Sequence, residues 1–277
     1  MNILYCGDDH VRDGVLLSVL SLTKQVEAPL HIYVFTAAIS VAGTNYRPFP
    51  DAAINELRQV VKTHHAGGSV TKCDLTTLLT EMPPTANWQT RFTPYCMLRL
   101  YADLIPSLPD RLLYLDADVL AVADPRKFYD QPLTDTELVG VLDHYGQWYF
   151  HHGRRLRDYI NSGVLLLNLK RIKQTGLFAR CRERIARRRM FMPDQSALNK
   201  LAQEKRLAPR KYNDQHGPHP DTVFLHFSTR LKFWPWFHPV TVKPWQVDSV
   251  QTMLVNSNTQ TKAVYDDYAT VRNARKG

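Results

Sequence analysis

The stretch Leu112–Val122, LLYLDADVLAV, is apolar except at Asp116 and Asp118. Its opening run, Leu112 to Leu115, fits a strand buried on both faces, the pattern of a parallel sheet. The chain then leaves that strand at Asp116. Side chains of extended backbone repeat every two residues, so Asp116 and Asp118 are expected to point to the same side. Two carboxylates that close repel and are costly to desolvate, so either one is protonated or a cation sits between them. A hard divalent ion, Mn²⁺ or Mg²⁺, takes such oxygen ligands and brings phosphate oxygens with it. Taken alone, the pair also reads as a turn with two solvated acids.

Working outward, short apolar runs alternate with helical patterns. Asn2–Cys6, His31–Phe35, Leu138–Leu142 and Val164–Leu169 read as further strands. VLLSVLSLTK carries apolar residues at helical spacing, and PDAAINELRQVVKTHH opens with Pro50 and Asp51 as a helix start should. This alternation predicts an α/β fold, a mostly parallel sheet with helices on both faces. Ligands of such sheets collect at the carboxyl ends of the strands, which is where Asp116 falls. Past about residue 205 the chain turns to proline, histidine and aromatics, predicting loops and short strands packed on the sheet. A last helical pattern, TQTKAVYDDYATVRNARKG, closes it.

With 277 residues, 44% of them hydrophobic, the chain can bury the core of one large α/β domain or two small ones. No segment approaches the roughly 18 uninterrupted apolar residues of a spanning helix, and the amino terminus reaches charge too early for a signal peptide. A cytoplasmic protein is expected. Cys6, Cys73, Cys96 and Cys181 lie far apart and read as reduced packing residues. The net charge of +9 favours anionic partners. Much of it sits in Ala179–Phe191, ARCRERIARRRMF, expected to be a helix with a solvated arginine face.

Three other places carry polar residues at strand or helix ends. CGDDH puts Asp8, Asp9 and His10 after the first strand, where a nucleotide base would lie. The Asp8 carboxylate could accept an imide N–H of uracil there, or cap a helix. DYINSGVLLLNLKRI places Asn161 at the mouth of another apolar strand. FMPDQSALNK starts a helix at Asp194 and Gln195, where capping is the plain alternative.

Together with RLYADLIPSLPDRLLYLDADVLAVADP and HFSTRLKFW, these pieces resemble glycosyltransferase family 8, in the family's order over about residues 1 to 235. The family includes bacterial lipopolysaccharide galactosyltransferases and glycogenin. The resemblance implies a GT-A catalytic domain over 1–235, with 236–277 as an extension packed on or beside it. It also implies transfer of a hexose, galactose or glucose, from a UDP-sugar with retention of the α configuration. Acceptors of that kind are oligosaccharides or lipid-linked or protein-linked glycans. Carried across by position, Asp116, Asp118 and His226 resemble the metal ligands. Asp8, His10, Arg99, Ala117, Lys232 and Lys243 match donor-binding positions, and Asp143, Asn161, Asp194 and Gln195 match those around the donor sugar.

One motif departs from the family. Many members read HxxGxxKPW; here HFSTRLKFW keeps His226 and Lys232 at that spacing, but Thr229 replaces glycine and Phe233 replaces proline. A true KPW follows at Lys243–Trp245, so either lysine can meet the diphosphate, with Lys232 favoured on spacing. The basic and aromatic run RLKFWPWFHPV suits an anionic membrane interface, or else closes the active-site core. A metal-dependent phosphoryl or nucleotidyl transferase also uses paired aspartates. Its acids would sit at the first strand or shortly after a Gly-Ser or Gly-Gly motif, and Gly67, Gly68 and Ser69 are too distant. A nucleic-acid or glycan-binding protein drawn by charge alone would have to accommodate a buried acid pair that repels phosphate, so no nucleic-acid partner is expected.

Overall fold

The computed structural model describes residues 1–90, 93–144, 158–228, 230–232, 238–247, 250 and 259–275, with backbone alone at 230–232, 238–240 and 259–260. In chain order the strands are β1 (Asn2–Cys6), β2 (His31–Thr36), β3 (Ile39–Val41), β4 (Thr44–Tyr46), β5 (Ser69–Asp74), β6 (Arg111–Leu115) and β7 (Val119–Ala121). They continue with β8 (Leu138–Leu142), β9 (Ile160–Asn168), β10 (Lys205–Ala208), β11 (Phe224–His226), β12 (Arg230–Lys232) and β13 (His238–Val240). Seven form one sheet in the order β10-β8-β9-β6-β1-β2-β5.

Both faces of that sheet are covered, and its residues divide between two cores by parity. In β1, Ile3 and Tyr5 enter one apolar cluster while Leu4 and Cys6 enter the other; in β6, Leu113 and Leu115 face one side, Leu112 and Tyr114 the other. This is why the central strands read as unbroken apolar runs. The helix Arg12–Gln25 is buried from Gly14 to Leu22, because it lies between β7 and the last helix, Thr259–Ala274. Ion pairs Lys24–Asp267 (2.5 Å), Arg275–Asp13 (2.5 Å) and Arg275–Glu56 (2.5 Å) tie that last helix down.

The mostly parallel sheet of the sequence reading is present, with one departure that builds the site. β9 runs antiparallel to both its neighbours, β6 and β8, while the other pairs in the sheet are parallel. It spans Ile160–Asn168 instead of Val164–Leu169, and Leu169 begins a helix. Running backwards, β9 brings its amino end, Ile160 to Gly163, to the edge where β6 ends at Asp116.

The arginine segment also differs from its expectation. The helix covers Leu177–Arg187 and Arg188 is extended. Arg182 is buried, paired with Asp103 (2.5 Å) and facing the Tyr101 ring, so it is an internal strut and not part of a solvated face. None of the four cysteines is in a disulfide. No helix among the described residues is long and apolar enough to cross a membrane.

Candidate active site

The two aspartates converge through a turn and not through extended backbone. Val119 N–H bonds back to Asp116 O (3.1 Å), so Asp116–Val119 folds over before β7 starts. Ala117, between the acids, packs into the core. β7 then pairs antiparallel with β11, setting His226 opposite Val119, and Phe227 N–H bonds to Asp118 O (3.0 Å). That pairing delivers a histidine from more than a hundred residues downstream to the acid turn.

The result is a cluster of Asp116, Asp118 and His226 whose ligand atoms lie within 4.8 Å of one another. His226 Nε2 is 3.3 Å from Asp118 Oδ1 and 3.9 Å from Asp116 Oδ2. Two carboxylates and an imidazole suit a divalent cation such as Mn²⁺. Gly163 makes the cluster possible. A Cβ there would stand 2.3 Å from His226 Cε1 and 2.9 Å from Asp116 Oδ2, closer than side-chain carbons approach.

Lys243 donates to Asp118 Oδ2 (2.5 Å). Burial opposes the Asp118 charge, but Lys243 and His226 outweigh it and hold that carboxyl well below the usual range. Burial also works against protonated His226, and the charges of Asp118 and Asp116 outweigh it, raising the imidazole above its ordinary value.

Behind Asp116 sits Arg99, buried, donating to Asp116 Oδ1 (3.1 Å), to Cys96 O (2.9 Å) and to Ser162 O, and lying 3.8 Å over the Tyr114 ring. Its Nε is 3.4 Å from Asp194 Oδ2. The Tyr114 hydroxyl donates to Asp116 Oδ1 (2.5 Å); burial, opposed by the Arg99 charge, keeps that phenol protonated far above its usual range. Arg99 therefore fixes carboxylates from inside the protein.

Asp194 and Gln195 open the helix Pro193–Leu201, but neither caps it: Met192 is the cap residue, and its side chain makes no capping bond. Their side chains turn to β9. Ser162 Oγ donates to Asp194 Oδ2 (3.1 Å), and Ser162 N–H donates to Gln195 Oε1 (2.9 Å). Gln195 Nε2 and Asn161 Nδ2 both donate to Asp143 Oδ2, at 3.1 and 2.9 Å. Asp143, Asn161, Asp194 and Gln195, distant in sequence, are thus one buried network beside the acid cluster.

At the end of β1, Asp8 is buried and does act as a cap: it accepts His10 N–H (3.2 Å), and its other oxygen lies 3.0 Å from His10 Nδ1. The His10 side chain is 80% exposed. Lys232 ends β12, which pairs with β13; its side chain and the whole of the aromatic run at 233–237 lie outside the described residues. Residues not anticipated from sequence are Tyr114, Ser162, Gly163 and Asn213. Tyr114 is two positions before Asp116 and so shares its side of the strand, a signal that was there to be read. Asn213 carries no local signal, because its partners come from remote strands.

Comparison with solved structures gives the same architecture. An active-site mutant of LgtC, in which a glutamine is replaced by glutamate, aligns with a TM-score of 0.64 at 17% identity, over 99% of this chain and 96% of LgtC. The glycosyltransferase GlyE of Streptococcus pneumoniae aligns at 0.63 and 18% identity, over 97% of this chain and 64% of GlyE. Mouse xyloside xylosyltransferase 1 aligns at 0.54 and 16% identity, over 76% of this chain and 85% of that one. The fold is GT-A. A search of curated sequences finds no match. Residues 2–236 match the profile of glycosyl transferase family 8. That match spans most of the 277 residues, and it includes the acid turn, the amino end of β9, the Asp194–Gln195 helix and His226: the chain belongs to glycosyl transferase family 8.

Proposed function

We propose that the protein transfers a hexose, galactose or glucose, from a UDP-sugar to a glycan acceptor with retention of the α configuration. The observation that carries this is the juxtaposition of the Asp116–Asp118–His226 cluster with the Asp143–Asn161–Asp194–Gln195 network at one sheet edge of a family 8 chain. A bound Mn²⁺ or Mg²⁺ would offset the charge that develops on the diphosphate as the anomeric bond breaks. Asp116, Asp118 and His226 would hold it. Lys243, already at this cluster, is the described cation able to turn from Asp118 to the diphosphate, and we favour it over Lys232 for that contact.

Gln195 and Asp194 orient the donor sugar. An amide oxygen is a poor nucleophile, so front-face attack by the acceptor hydroxyl, with the departing phosphate taking its proton, fits the network better than a covalent intermediate. LgtC has been solved with donor and acceptor sugar analogues, and replacement of a glutamine there is described as an active-site mutation, which supports a role for Gln195. Asp8 is offered as the group that reads uracil, released from its contact with His10. We further read residues 1–235 as the catalytic part and 236–277 as an extension supplying Lys243. The +9 charge suits a lipid-linked or protein-linked glycan presented from the cytoplasmic face of an anionic membrane.

The direct test is UDP release from UDP-glucose, UDP-galactose and UDP-N-acetylglucosamine with and without Mn²⁺. Slow hydrolysis of a UDP-hexose, dependent on the metal, is expected; absence of both hydrolysis and Mn²⁺-dependent UDP binding would refute the proposal. A second expected result separates the two partners of Lys243. Because its ammonium sits on a ligand carboxylate, Lys243→Ala should bind Mn²⁺ alone severalfold more tightly. Charge-assisted bonds to phosphate contribute about 1.5–3 kcal/mol, so the same variant should bind UDP in the presence of Mn²⁺ at least about tenfold more weakly. Calorimetry showing both affinities moving in the same direction would contradict that division of labour.

A further inference from the structure

We infer that Asn213 is a positioning residue that fixes the tautomer of His226 and links this ligand to Gln195 through a directed chain of amides. The inference rests on the proposed metal site. Asn213 is fully buried in the segment that follows the short 3-10 helix Arg210–Tyr212. Its Oδ1 is 2.9 Å from His226 Nδ1, and its Nδ2 donates to Asn161 Oδ1 (2.9 Å). Asn161 Nδ2 donates to Asp143 Oδ2, which also accepts Gln195 Nε2.

The direction of every bond in this chain follows from two backbone groups that can only donate. Gly163 N–H donates to the Asn161 side chain (2.9 Å), so the atom it meets is the oxygen, and the Asn161 amide nitrogen must face Asp143. Ser162 N–H donates to the Gln195 side chain, which likewise points the Gln195 nitrogen at Asp143. The Asn161 oxygen, with its second lone pair, then requires a donor from Asn213. That requirement turns the Asn213 oxygen to His226, where it accepts a proton held on Nδ1. The neutral ring consequently keeps its lone pair on Nε2, the nitrogen facing Asp116 and Asp118. Two consecutive peptide groups of β9 thus set both the histidine tautomer and the glutamine orientation.

The backbone holds Asn213 in place for this. Asp214 N–H bonds to Phe224 O (2.8 Å) and His226 N–H to Asp214 O (2.9 Å), clasping the segment to β11 on the side away from β7. The buried Asp214 carboxylate gathers Thr222 Oγ1 (2.5 Å), His219 Nδ1 (2.7 Å) and the Arg210 guanidinium, which sets the path of the loop.

Replacement of outer partners of metal-binding histidines commonly weakens affinity about 10–100-fold. Asn213→Ala should therefore bind Mn²⁺ about 10–100-fold more weakly by calorimetry while remaining folded by circular dichroism. Asn213→Asp retains an acceptor for Nδ1–H but loses the donor to Asn161. It should keep Mn²⁺ affinity within about threefold while UDP release falls about tenfold or more, a split that a merely structural role does not give. A measurement without substitution at Asn213 is the ¹⁵N–¹H correlation spectrum of the histidine rings in the metal-free protein at pH 9.5, with His226 assigned by difference against His226→Gln. It should show the Nδ1–H form. An Nε2–H ring, or wild-type Mn²⁺ affinity in Asn213→Ala, would overturn the inference. Failure of the wild-type protein itself to bind Mn²⁺ would instead remove the metal reading on which it stands.

Discussion

Asp118→Ala should remain folded by circular dichroism and lose metal-dependent UDP release by about a thousandfold or more. Its carboxylate is a central member of the acid cluster, 3.3 Å from His226 Nε2 and 2.5 Å from Lys243 Nζ. A thousandfold loss corresponds to about 4 kcal/mol of transition-state stabilisation, the several kcal/mol expected when charge on a departing diphosphate is no longer offset. The substitution also removes the counter-charge that raises His226, so the ring should titrate lower than in the parent. Stability should fall modestly, since Lys243 is partly exposed and can regain water. Asp118→Asn separates the effects: it preserves shape and one acceptor oxygen for Lys243 while removing the charge, and should show no Mn²⁺-induced rise in melting temperature. Metal-dependent turnover at a wild-type rate in either variant would show that the cluster is not the catalytic cation site.

How far the sequence led is clearest at that turn. The apolar run before Asp116 marked a buried strand, and its carboxyl end marked a ligand edge, because continuous hydrophobicity is what burial on both faces demands. The same property hid the direction of β9. A strand buried on both faces reads alike whether its neighbours are parallel or antiparallel, so nothing in INSGVLLLN announced that its first residues would meet the end of β6. The helix start at Asp194 was legible, but capping was the ordinary reading, and only the tertiary structure turns Asp194 and Gln195 toward Ser162. At Asp8 capping is what the structure has. Arg182 and Arg99 show the limit of charge as a guide to exposure: each lies in a segment whose pattern fits solvated arginine or a ligand contact, and each is buried against carboxylates. Asn213 lay beyond sequence altogether, since its meaning depends on β11, β9 and the end of β8 arriving at one place.

Gly163→Ala should damage the site severely through one methyl group. The added carbon would lie 2.3 Å from His226 Cε1 and 2.9 Å from Asp116 Oδ2, and neither neighbour is free to yield. His226 is buried, with Nδ1 engaged by Asn213 and its backbone held in the β7–β11 pairing. Asp116 is fixed by Tyr114 and Arg99. Overpacking of this kind costs about 1–3 kcal/mol, and the displacement falls on two of the three proposed ligands. Melting temperature should therefore drop, and Mn²⁺ affinity should fall by more than about tenfold, with UDP release falling alongside. Gly176→Ala supplies the control. Gly176 has φ 67° and open space where a Cβ would go, so alanine there meets backbone strain without a clash, at a cost of about 1 kcal/mol. That variant should lose stability comparably while binding Mn²⁺ as the parent does. If Gly163→Ala instead kept parental Mn²⁺ affinity at its lowered melting temperature, His226 and Asp116 would not be acting together on a cation, and the cluster would be a structural ion pair.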